Sequence, residues 1–285
     1  SSHFGPPTAP NQIASESFCQ KGNDNKWTFL GKSDLDITKD DQVQLFFRPR
    51  GYDIIINCSG FTDVMEAEKK KKDAYSLNEN GVKNLVLACE ESNCKLIHFS
   101  TDYVFEGISE SPHKETDFTF PINTYGKSKE AGEQAILNSN IKALIIRSSW
   151  IYSTFGNNFV KKILALSRIK NKLEIINDQI GTPTYASDIV KACLLIIKNK
   201  SYKWKTSGEI FHYSNEGECS WYEFAKEIFR LKEINILIEP KRSNEISSIA
   251  KRPKYSVLNK SKIKTTFNMH IPNWKESLIE MINKL

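Results

Sequence analysis

Four short runs set the fold class of this chain: Asp53-Ile54-Ile55-Ile56-Asn57-Cys58, Leu96-Ile97-His98-Phe99, Ala143-Leu144-Ile145-Ile146-Arg147 and Gly208-Glu209-Ile210-Phe211-His212-Tyr213. The second and third, like the first, are apolar at successive positions rather than alternate ones. A strand of that kind is buried on both faces, as in a parallel sheet covered by helices. Helix-forming stretches separate the runs, at residues 63–93, 128–137 and 186–197. Strands alternating with helices argue for an α/β fold with a doubly wound parallel sheet. A chain of 285 residues is long enough to bury a large core. Residues 27–30, Trp-Thr-Phe-Leu, read as a further strand ahead of the first run.

The second run ends in Ser100-Thr101-Asp102, so polar groups stand at the carboxyl end of a buried strand. Downstream comes Tyr125-Gly126-Lys127-Ser128-Lys129, which opens a helical segment. Tyr125 and Lys129 are four apart and share one helix face. A free tyrosine has a pKa of about 10 and is a poor proton donor near neutrality. An ammonium one turn away favours the phenolate and brings the group into a useful range. A hydroxyl from Ser100 or Thr101 would then hold a carbonyl against the tyrosine, which makes a site for carbonyl/alcohol interconversion. The Tyr/Lys pair alone recurs on many solvated helices; the polar strand end upstream gives it weight.

Taken with Arg147-Ser148-Ser149-Trp150-Ile151-Tyr152, Gly156-Asn157-Asn158-Phe159, Asn177-Asp178-Gln179-Ile180-Gly181-Thr182-Pro183-Thr184 and Arg252-Pro253, these motifs resemble the dTDP-4-dehydrorhamnose reductases of the extended short-chain dehydrogenase/reductases. The resemblance covers about residues 27–285. It implies a Rossmann-type domain over residues 1–149, to which 182–212 return, and a smaller C-terminal substrate-binding lobe over 150–181 and 213–285. It implies hydride transfer from NADPH or NADH to the 4-keto group of a nucleotide sugar, most simply dTDP-4-dehydro-L-rhamnose. Tyr125, Lys129 and Thr101 would be catalytic. Asn11, Gln12, Ile13, Asp36, Ile37, Ser59, Gly60, Phe61 and Thr62 would bind the cofactor, with Tyr125 and Lys129. Thr101, Asp102, Tyr103, Trp150, Asn157 and Arg252 would face the substrate. The sugar-nucleotide dehydratases of the superfamily carry Asp-Glu where this chain has Asp102-Tyr103, which favours plain reduction over loss of water.

The N-terminal stretch departs from the pattern. A dinucleotide fold opens with a strand and a glycine-rich turn facing the pyrophosphate. Here Thr8, Asn11 and Ala14 stand at the glycine positions, and Pro6, Pro7 and Pro10 each remove a ladder donor. A first strand that is short, displaced or absent is expected. A chain with such a loop also resembles the regulatory β subunit of methionine adenosyltransferase, a protein-binding relative. Lys32, where an acidic residue would favour NAD, points weakly to NADP.

Composition narrows the rest. The net charge of +6 is dispersed, and no nucleic-acid motif accompanies it. No apolar run reaches the ~18–20 residues of a membrane span, and no signal pattern opens the sequence. The six cysteines lack C-x-x-C spacing and read as reduced thiols of a cytoplasmic protein without a metal site. The expected partner is a dTDP-sugar, bound by a monomer or homodimer.

Overall fold

The structure is a computed structural model that describes residues 26–245 and 248–285. In chain order the elements are α1 (Asp40–Phe47), β1 (Ile54–Asn57), α2 (Val64–Lys69), α3 (Lys71–Tyr75), a π-turn (Ser76–Asn80), α4 (Gly81–Ser92), β2 (Lys95–Thr101), α5 (Thr124–Leu137), β3 (Ala143–Ser148), β4 (Ile151–Tyr152), α6 (Phe159–Ser167), β5 (Lys172–Ile176), β6 (Ile180–Gly181), β7 (Thr184–Tyr185), α7 (Ala186–Lys198), β8 (Glu209–His212), β9 (Cys219–Ser220), α8 (Trp221–Leu231), β10 (Leu237–Lys241), α9 (Ser261–Phe267) and α10 (Trp274–Ile282). The main sheet is β1-β2-β3-β8, all parallel. This is the α/β parallel architecture that the apolar runs imply.

Each strand feeds two cores because successive side chains point to opposite faces. Leu96, Ala143 and Ile145 join Val43, Leu85, Val86 and Ile136 on the side of α1, α4 and α5. Ile97, Leu144 and Ile146 join Ile189, Ile196, Ile263 and Phe267 on the side of α7 and α9. Residues 261–271, assigned from sequence to the C-terminal lobe, thus pack beneath the main sheet. A third core gathers Tyr152, Val160, Phe224, Ile228, Trp274 and Leu278 from β4, α6, α8 and α10. Helix α8 is set by a reciprocal cap: Ser220 accepts from the Glu223 N–H, and the Glu223 carboxylate accepts from the Ser220 N–H.

One expectation from the sequence is not met. Residues 27–30 form no strand. Trp27, Phe29 and Leu30 are 37%, 49% and 39% exposed; a strand exists through its ladder, and among the described residues these four have no ladder partner. Conversely, β10 pairs in parallel with β5 although Pro240 lies within it, which is tolerated because this is a two-stranded edge. The N-terminal strand, the phosphate loop and Asn11, Gln12 and Ile13 lie outside the described residues.

Candidate active site

The carboxyl end of β2 and the first turn of α5 meet at one corner. Thr101 closes β2 and accepts a hydrogen bond from the Tyr103 N–H at 3.2 Å, while its own hydroxyl donates to Asp102 Oδ1 at 3.0 Å. Residues Asp102–Val104 form a single 3₁₀ turn. Helix α5 is capped by Asn123, which accepts from the Gly126 N–H at 2.8 Å, and its Thr124 donates N–H and hydroxyl to Glu68. Gly126 is required here: a Cβ would run into the Tyr103 carbonyl. Its absence lets α5 close onto the 3₁₀ turn, and the Tyr103 and Tyr125 rings meet edge-on at 5.8 Å. Lys129, one turn on, donates from Nζ to the Phe99 carbonyl of β2 at 2.5 Å.

A second clasp ties the end of β1 to the same helix. Asn78, in the π-turn, accepts from the Phe61 N–H at 2.8 Å and donates to the Phe61 carbonyl at 3.0 Å and to Ser128 Oγ at 2.9 Å. π-Turns inside helices often mark functional sites; this one aims Asn78 at the loop after β1. Ser59 donates N–H and hydroxyl to Asn57. Gly60 faces the clasp so closely that a Cβ would lie 3.2 Å from Asn78 Oδ1 and 3.8 Å from Lys129 Nζ. The strip Ser59–Thr62 therefore runs beside Lys129 and Asn78 at the carboxyl ends of the parallel strands, the place where doubly wound sheets bind their ligands.

Burial sets the electrostatics. It pushes the Tyr125 phenol up to about 12, and a hydrogen bond with Thr101 opposes the shift. It pulls Lys129 down to about 8, with the Glu133 charge opposing. Lys129 is held on the Phe99 carbonyl and does not lower Tyr125, so the expected depression of the phenol is absent. Burial lifts Asp102 to about 7, opposed by the hydroxyls of Ser256 and Thr101. Beneath the corner, Arg147 of β3 grips Glu133 of α5 through two bonds of 2.9 and 2.6 Å, both residues fully enclosed. That pair fixes the distance between the strand and the helix that carry the site.

The family model described as the RmlD substrate binding domain matches residues 9–285. The chain belongs to the RmlD substrate binding domain family. It is 37% identical over 276 residues to a dTDP-4-dehydrorhamnose reductase of Sinorhizobium fredii, covering 95% of this chain and 93% of that one. Among solved structures, a dTDP-4-dehydrorhamnose reductase from Clostridium acetobutylicum superposes with a TM-score of 0.84 at 39% identity, over 89% of this chain and 88% of that one. One from Bacillus anthracis in complex with NADP superposes with a TM-score of 0.85 at 36% identity, over 90% and 89%.

In this member of the RmlD family the remaining expected residues fall into distinct groups. Trp150 follows β3 directly, two residues beyond Ser148, which is in register with Thr101. Arg252 lies against Tyr103, whose phenol burial pushes up while the guanidinium opposes; it also donates to Ser248 at 3.2 Å. Asn157 stands exposed before α6 and makes no side-chain hydrogen bond among the described residues; its neighbour Asn158 caps α6 by accepting from the Lys161 N–H. Asp36 accepts from the N–H and hydroxyl of Thr38, which hold its carboxyl below the ordinary range. Ile37 is buried in the core against Gly81. Asp178, in the Asn177–Thr184 stretch, accepts from the N–H and hydroxyl of Ser243. Three residues that sequence reasoning passed over support the corner: Glu68, Asn123 and Ser256. Asn123 was findable as a cap residue at the start of the tyrosine helix; Glu68 and Ser256 act across distances in sequence that no local pattern reveals. Among the described residues no group of three or more His, Cys, Asp or Glu is placed to hold a metal ion, and no helix is long and apolar enough to cross a membrane.

Proposed function

We propose that this protein reduces the 4-keto group of dTDP-4-dehydro-L-rhamnose to the alcohol of dTDP-L-rhamnose with NADPH. The observation that carries this reading is the corner itself: a hydroxyl, a phenol and an ammonium, from Thr101, Tyr125 and Lys129, joined at the end of one parallel strand in a member of a reductase family. The close approach of the Gly60 backbone to Asn78 and Lys129 at the carboxyl end of β1 supports a dinucleotide there. NADPH, when bound, supplies the hydride that reaches C4. Thr101 holds the keto oxygen in line with the Tyr125 hydroxyl. Tyr125, kept protonated by its burial, gives its proton to that oxygen as the C4–H bond forms, so the carbonyl becomes a secondary alcohol. Lys129 then stabilises the phenolate until solvent returns the proton. With Tyr103 after Asp102 there is no second carboxylate to drive elimination. Trp150, Asn157 and Arg252 form the sugar-nucleotide side, Arg252 meeting the diphosphate.

We read residues 1–149 with 182–212 as the dinucleotide part and 150–181 with 213–285 as the substrate lobe, except that α9 is lent to the sheet. We also read the protein as cytoplasmic, acting as a monomer or homodimer without a nucleic-acid or membrane partner. Calorimetric titration with NADPH and NADH, followed by NADPH oxidation with dTDP-4-dehydro-L-rhamnose, tests the proposal. Micromolar binding of NADPH and turnover are expected. A folded protein that binds neither cofactor would instead be a protein-binding relative of the reductases.

A further inference from the structure

Trp150 has backbone φ of +46°, the left-handed region that large side chains avoid. Such a residue persists only where its surroundings over-determine it, and here they do. The Trp150 carbonyl accepts from the Thr184 N–H at 3.2 Å. On one side of it Ser149 Oγ donates to the Thr182 carbonyl at 2.8 Å; on the other, β4 pairs with β7. The ring is fixed as firmly as the backbone. Trp221 lies flat on it, ring centroids 3.5 Å apart and planes 8° apart, and Phe159 backs Trp221 at 4.6 Å. At the indole edge stands Gly181, where a Cβ would sit 2.6 Å from Cε2 and 2.8 Å from Nε1 of Trp150. Gly181 and Trp221 come from adjacent segments, since β6 pairs antiparallel with β9 and Trp221 follows Ser220.

We propose that Gly181 and Trp221 form a clamp that sets the position of the Trp150 indole and thereby the affinity for the sugar nucleotide. Gly181 is a specificity-determining position, because any side chain there displaces the indole, and Trp221 is a positioning residue acting through Trp150. The inference rests on the reading of Trp150 as a wall of the sugar-nucleotide site. It assigns a reason to the Gly181-Thr182-Pro183-Thr184 stretch: it holds the wall, by an absent side chain, one carbonyl and one N–H.

The test uses the full chain and four variants. Two indoles stacked face to face give an exciton couplet in circular dichroism. Gly181→Ala keeps both indoles, so a couplet lost or inverted in that variant reports a moved ring. Its KM for dTDP-4-dehydro-L-rhamnose is expected to rise by about tenfold or more, the scale of one misplaced methyl in a pocket, with the KM for NADPH unchanged. Trp221→Ala should raise the same KM, and Trp221→Phe, which keeps a stacked ring, should recover most of it. NADPH binding by each variant checks that the fold survives. If Trp150→Phe raises the substrate KM while Gly181→Ala leaves both KM and couplet as in the parent, the clamp is wrong and the wall stands. If Gly181→Ala abolishes the couplet without moving KM, the clamp holds the ring but does not govern affinity, and the proposal fails. If Trp150→Phe itself leaves KM unchanged, the reading of Trp150 as a wall fails first.

Discussion

The Tyr125 corner and the Trp150 segment are built by different physics. The Tyr125 corner is polar, enclosed and built on a regular strand and helix, with Lys129 hydrogen-bonded to the Phe99 carbonyl and Thr101 to Asp102. The Trp150 wall is aromatic, partly exposed and strained: a left-handed tryptophan held by a second ring and by a glycine. The corner shifts proton affinities by desolvation, which needs burial and fixed distances. The wall shapes a surface, which needs volume and little charge. Changes at the corner should therefore move kcat and the pH profile, and changes at the wall should move KM.

The sharpest way to break this contrast is Tyr125→Phe. Loss of a general acid costs about 10²–10⁴ in rate, so NADPH oxidation should fall by that much while NADPH binding persists. Substantial turnover in the variant would remove the corner from the chemistry.

Next in size is Glu133→Gln. It leaves Arg147 buried without its charged partner, and breaking such a pair costs about 3–5 kcal/mol. Urea unfolding should show a loss of that order; a loss under about 1 kcal/mol would mean that the ion pair does not set the strand–helix distance.

A third expectation concerns pH. Lys129 titrates near 8, and the phenolate formed at Tyr125 needs its charge. The rate of reduction should hold to about pH 8 and then fall by up to tenfold per pH unit. A flat profile to pH 10 would show that the ammonium is dispensable. Mutants of the wall, if the contrast is right, keep the parent's profile.

The smallest effect is at Asp102. Its folded pKa, about 7, lies above the ordinary 3.8. Between those values the folded state binds the extra proton, so stability falls as pH rises through this window and the full cost remains above it. Asp102→Asn removes that cost. The variant should melt a few degrees higher than the parent at pH 8, with the gap closing towards pH 4. An equal or lower melting point at pH 8 would mean that the carboxylate is better solvated than its burial indicates.

The chain's own order of residues determined a good deal. Runs such as Ile54-Ile55-Ile56 and Leu144-Ile145-Ile146 are apolar at every position, so only a sheet covered on both faces satisfies them. The four-residue spacing of Tyr125 and Lys129 puts both on one helix face. Those signals are local, and local signals survive in a sequence. What the tertiary structure decided was where distant segments meet. Residues 27–30 look like a strand, yet a strand needs a partner, and pairing is not written in four residues. Asp178 is bonded to Ser243, 65 positions away, a contact no local pattern announces. Nothing local predicts that Lys129 would settle on the Phe99 carbonyl, because that contact depends on how closely α5 approaches β2. Nor does it predict that Gly181 would lie beneath a strained Trp150. The chemistry was legible from residue type and spacing, while the alignment of the groups that perform it came from close packing between elements far apart in the chain.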